Sequence, residues 1–189
     1  MNRRCLQKFQ IKDVVFLAIM SAVALATCAV MPLVISLQPL IFGISQLVTA
    51  LQIGVFFAIG LYKVRKPGSL LIMALMMGLI QLMMSPPMFL SSVLNGVLIE
   101  LIVLLLFRGY EKDAAVFCAA MLHTPLSLPF NYLYNRLIKG ADSPLAAVAD
   151  RAPLAAVGMT LAVVAVSALG ALIGIKIARE LKRSGVLKK

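Results

Sequence analysis

Two titratable side chains stand deep inside long apolar stretches of this sequence: Glu100 and His123, the latter the only histidine. Such groups are costly in hydrocarbon, so each must meet protein, water or a ligand. Ser92, Gly96 and Glu100 follow at a spacing of four and share one helical face, with Asn95 close by. His123, Ser127, Asn131 and Asn135 form a second polar stripe at the same spacing. Facing each other, the stripes line a cavity where Asn95, Glu100, His123, Ser127 and Asn131 would touch a substrate. The alternative is a Glu–His or Glu–amide contact that only joins two helices. An intramembrane acid–base enzyme built on Glu100 and His123 is a further reading, which lacks a nucleophile or a metal set. One His and one Glu are too few for a usual zinc site, so no metal is expected. Gly-x-Ser-x-Gly, His-Glu-x-x-His, Cys-x-x-Cys and Walker A patterns do not occur. ATP hydrolysis by this chain is therefore not expected, and no cofactor is implied.

The elements that must hold these residues follow from the charge pattern. Hydrophobic residues make up 62% of the chain, and the mean hydropathy is +1.01. A soluble domain of this size cannot hide that much apolar surface. Between Asp13 and Lys63 lie 49 residues without a charge, room for two helices that each need about 20 residues to cross a bilayer. From Pro67 to Phe107 the only charge is Glu100, which makes two more. Segments 114–135 and 152–175 are charge-free and of single-span length. The expectation is an all-α membrane protein, one domain over residues 1–189, with spans near 13–31, 42–62, 68–85, 90–107, 114–135 and 153–177. Pro125 and Pro129 should bend the fifth span and free backbone carbonyls.

The net charge of +11 does not point to nucleic acid, because no wettable basic face exists. Basic residues sit instead at the ends of apolar runs, and 15 of the 18 fall on one side of a six-span arrangement. They are Arg3, Arg4, Lys8 and Lys12; Lys63, Arg65 and Lys66; Arg108 and Lys112; and six from Lys176 to Lys189. That side is read as cytoplasmic, which places both termini inside. Loops 32–40, 86–91 and 136–152 then face outward. Pro32 and Pro39 bracket the first of these, and Asp142 and Asp150 balance the basic residues of the last. The start of the chain imitates a signal peptide, and Leu25-Ala26-Thr27-Cys28 faintly imitates a lipoprotein box. The apolar sequence that follows favours a retained helix. Cys5, Cys28 and Cys118 lack metal-type spacing and read as small apolar side chains.

Ala18, Ala22 and Ala26 form a narrow stripe of small residues on the first span, able to admit another helix closely. It serves either packing within the bundle or docking onto a partner membrane protein. Ser167, Gly170, Ala171 and Gly174 make a similar stripe on the last span, assigned to internal packing. The methionines clustered around span three, Met73 to Met88, read mainly as packing.

Several features together resemble the substrate-binding S components of energy-coupling factor (ECF) transporters, and most of all the Trep_Strep family of S components. They are the opening Phe9-Gln10-Ile11-Lys12-Asp13-Val14-Val15 leading into Ala18-x-x-x-Ala22, and the turn Lys63-Val64-Arg65-Lys66-Pro67-Gly68. The ending Gly170-Ala-Leu-Ile-Gly174 before Lys176, the size and the basic tail complete the set. The resemblance implies a multi-pass protein of a prokaryotic plasma membrane with no catalytic activity. Such a protein captures a vitamin-like micronutrient from outside and topples in the lipid bilayer to release it inward. It implies as partners a coupling transmembrane subunit, contacted through Ala18 and Ala22, and two ATPase subunits. It also places the substrate site at the first outer loop and the outer halves of helices four to six. The chain has no Trp and none of the polar signatures of thiamine, riboflavin, biotin or folate S components, and its sparse polar lining and many methionines lead to the expectation of a largely apolar or large-ring substrate. A membrane assembly subunit without any cavity is the remaining alternative.

Overall fold

Six of the helices in the computed structural model coincide with the six apolar segments, because uninterrupted apolar sequence leaves the backbone no partner but itself. The structure describes residues 8–28, 34, 36–37, 40–83, 85–140 and 143–185. Arg3, Arg4, Cys5, Pro32, Pro39, Asp142 and Lys189, named above, lie outside them, as do Met84 and Lys188 within the ranges given there. Among the described residues there are seven helices and no strand. They are α1 (Ile11–Ala26), α2 (Ile44–Val64), α3 (Ser69–Leu82), α4 (Pro86–Phe107), α5 (Asp113–Leu137), α6 (Pro144–Arg151) and α7 (Pro153–Arg183).

Three helices, α2, α4 and α7, are long and apolar enough to cross a membrane, and α3 is apolar but shorter. Helix α1 ends at Ala26, short of the expected residue 31. The outward surface is apolar: Leu105 is 81% exposed, Leu154 88% and Leu161 65%. Such a coat of exposed large apolar side chains fits lipid and not water.

Helices α1, α3, α4, α5 and α2 adjoin one another in a closed ring, and α7 packs outside it against α2 and α5. The contact of α2 with α7 is the most extensive, and small residues make it possible. A Cβ on Gly170 would lie 2.4 Å from the Leu51 carbonyl oxygen, and one on Gly174 2.5 Å from that of Val55. The stripe on the last span is thus internal packing. The core fills one end of the ring with Leu17, Phe57, Leu61, Met73, Ile99 and Val103.

Turns at that same end are fixed by charge. Asp13 accepts from the Gln10 backbone N–H at 3.0 Å and from Lys66 at 2.6 Å, satisfying the first turn of α1. Asp113 binds Arg65 and, at 2.6 Å, Arg179. Burial works against the charge of Asp113, but the bonds from Arg179 and Arg65 hold its carboxyl below the usual range. Gly68 takes φ 91° to start α3, a conformation that a side chain would strain.

Candidate functional site

The other end of the ring is open. A cavity of about 670 Å³ lies among the ends of the helices there, a volume within the usual range for small-molecule sites. Helix α5 contributes His123, Ser127, Asn131 and Asn135, one residue per turn, because its polar residues recur with the helical period, and Thr124 beside His123. Ser92 and Asn95 come from α4, while Met77 and Gln81 come from α3. Ser45, Gln46 and Thr49 come from the start of α2, Leu25 from the end of α1 and Cys28 from the turn that follows it. Lys139 and Ser143 stand at the connection into α6.

Four of the five expected substrate residues, Asn95, His123, Ser127 and Asn131, line this one cavity. Glu100, expected to line it too, does not. Its carboxylate accepts from the Gly68 backbone N–H at 2.6 Å and from the Tyr110 hydroxyl at 2.9 Å. Both partners belong to the turns at the closed end, so Glu100 caps the start of α3 and ties two turns together. Burial, then the neighbouring carboxylate, push the Tyr110 hydroxyl well above its ordinary range, which keeps it a donor. The reason is register: Glu100 lies five residues beyond Asn95, about 1.4 turns or roughly 7.5 Å along the helix, far enough to leave the cavity behind. Glu100 and His123 are therefore not brought together, either as helix glue or as an acid–base pair.

The last span was also expected beside the site. No described residue of α7 lines the cavity, since α7 packs outside the ring. Span two takes its place, and Ser45, Gln46 and Thr49 were missed by the sequence reading. Their signal was Ser45 and Thr49 at a spacing of four in a charge-free run. With them the lining is richer in amides and hydroxyls than the two stripes alone suggested.

Electrostatically the cavity is one-sided. No carboxylate occurs among its described lining residues, and the cations are Lys139 at the mouth and, when protonated, His123. Ser45 donates to Gln46 Oε1 at 2.8 Å, Ser92 to Gln81 Oε1 at 2.5 Å and Ser143 to Asn135 Oδ1 at 3.0 Å. The floor is different. Asn95 Oδ1, both imidazole nitrogens of His123 and Thr124 Oγ1 are buried without a hydrogen-bond partner. Buried polar atoms are nearly always paired, so four orphans at one floor mark a place where another molecule completes the bonding. The His123 ring rests on Phe57, with centroids 4.4 Å apart and planes at 57°.

Residues 11–183 match the profile of a family described as hypothetical bacterial integral membrane protein (Trep_Strep). The chain belongs to the Trep_Strep family. This Trep_Strep protein is thus a multi-pass membrane protein. Its fold is shared with a solved structure titled as the crystal structure of an S-component of ECF transporter. The TM-score is 0.64 at 21% identity, covering 95% of this chain and 89% of the other. No curated protein sequence matches it.

The candidate docking stripe lies on the surface. Ala22 and Ala26 are exposed and Ala18 is half-buried, beside exposed Val15, Ile19 and Val23. The face that packs inward is instead Leu17, Ser21 and Ala24. Ser21 donates to the Leu17 and Met73 carbonyls at 2.9 and 3.1 Å, which ties α1 to α3.

Proposed function

We propose that this protein is the substrate-binding subunit of an ECF-type importer, a single six-span domain with both ends in the cytoplasm of a prokaryotic cell. It captures a vitamin-like micronutrient from outside and delivers it through a coupling membrane subunit and two ATPases. The observation that carries this reading is the cavity itself: it opens at one end of the bundle, and its buried floor holds polar atoms without partners. The opposite end carries most of the basic residues, which supports an outward mouth. The shared fold and the exposed alanine face of α1 support a partner that approaches closely. An intramembrane enzyme is less well supported, because Glu100 is engaged at the closed end by Gly68 and Tyr110.

The test is transport in proteoliposomes containing the protein, a coupling subunit and two ATPases. Small molecules from a defined nutrient mixture should accumulate in the lumen only with ATP, and only when this protein is present. Accumulation that is independent of this protein, or chemical conversion of a nutrient by the protein alone, contradicts the reading.

A further inference from the structure

We infer that the cavity takes an uncharged, nitrogen-bearing heterocycle whose edge carries hydrogen-bond donors and acceptors side by side, read by Asn95, His123 and Thr124. This deepens the binding reading above and rests on it. Asn95 is 1% exposed, and His123 and Thr124 are each 4% exposed, so water does not serve their orphaned atoms freely. A neutral imidazole offers one donor and one acceptor, a carboxamide oxygen accepts, and a hydroxyl does either. The floor is therefore mixed in character. A carboxylate or phosphate seated there supplies acceptors only and leaves the acceptors of Asn95 and His123 unpaired. A hydrocarbon leaves all four atoms unpaired.

Charge narrows the class further. With no carboxylate among the described lining residues, a cation on the floor has no counter-charge, and burying an unpaired charge is costly. Exposed Lys139 at the mouth repels cations as they enter. Shape agrees with charge. Phe57 backs the imidazole, while Ile53 and Met77 supply apolar walls that suit the faces of a flat ring. A ring with a polar edge and apolar faces fits both.

The experiment compares full-length wild type with Asn95→Leu and Thr124→Val, each purified in mild detergent. Bound small molecules are released by denaturation and identified by mass spectrometry. Losing a hydrogen bond with a buried partner lowers affinity by about 5- to 150-fold. One uncharged nitrogen heterocycle should therefore be enriched in wild type by about tenfold or more over both variants. After exhaustive dialysis both variants should melt at or above wild type, because each removes a buried unpaired atom. An enriched cation, metal ion, carboxylic acid without a heterocycle, or acyl lipid overturns the class and leaves the binding reading standing. No compound enriched over the variants overturns the binding reading, and the class with it. Loss of the compound with a lowered melting temperature in both variants overturns these atoms as its readers. Thr124→Val keeps the side-chain shape, so the comparison survives a failure of Asn95→Leu to fold.

Discussion

The Ser167 hydroxyl of α7 donates to the Met121 carbonyl of α5 at 2.7 Å. The carbonyl of Met121 would ordinarily bond the N–H four residues on, but that residue is Pro125, which has none. A neighbouring helix thus supplies the donor that proline removes, as hydrocarbon surroundings require. Ser167→Ala should destabilise the protein by about 1–3 kcal/mol, the cost of a buried unpaired acceptor. Unfolding in mixed micelles measures this. In a Pro125→Ala background the same substitution should cost markedly less, since α5 then supplies its own donor.

Glu100 and Tyr110 are expected to act on stability and not on the cavity. Tyr110→Phe removes one hydrogen bond to a charged group, typically about 1.5–3 kcal/mol, and Glu100→Gln weakens the cap on α3. Both should lower the melting temperature and leave the yield of co-purified small molecule per folded protein unchanged. A selective loss of that molecule in Glu100→Gln, with no change in stability, would return Glu100 to the site.

Asp113 gives the closed end an acid sensitivity. Its carboxyl is held below the ordinary value of 3.8 by Arg179 and Arg65, against the effect of burial. A lowered folded value contributes stability above the unfolded value and loses it as pH falls through the folded one. The stability difference between wild type and Asp113→Asn should therefore be constant from about pH 5 to 7 and shrink below about pH 4. Thermal melts across that range check the sign.

Ala22 lies on the exposed face of α1, so Ala22→Leu should leave folding and small-molecule binding intact. It should reduce co-purification with a coupling subunit and abolish ATP-dependent accumulation, because a larger side chain holds the partner helix away. Normal assembly and full transport would make the stripe a lipid-facing surface only.

Much of this arrangement was legible in the chain. The charge-free runs located the helices, because membrane-compatible helices need length and apolarity and little else. The stripe from His123 to Asn131 was readable for the same reason that α5 presents it: a period of four keeps polar groups on one face. What the chain could not disclose was which helices share the ring. Placing α7 outside depends on Gly54, Gly170 and Gly174 meeting backbone across a close contact, which is a pairing between distant segments. Glu100 looked like a cavity residue because it shares a face with Ser92, yet its height along α4 brings it to Gly68 and Tyr110. Helix α6 was hidden in a polar connection, where Asp150 pairs with Arg136 and Ala146 and Ala149 turn inward.

The central claim, that the polar cavity opens to the outside, is tested most directly by cysteine labelling in intact cells. Lys139 is exposed at the cavity mouth, and Ser184 is exposed beyond the basic end of α7. With the native cysteines replaced by serine, a membrane-impermeant maleimide should modify Lys139→Cys in intact cells and reach Ser184→Cys only after lysis. Labelling of Ser184→Cys in intact cells, with Lys139→Cys protected until lysis, would place the cavity mouth in the cytoplasm and contradict the account.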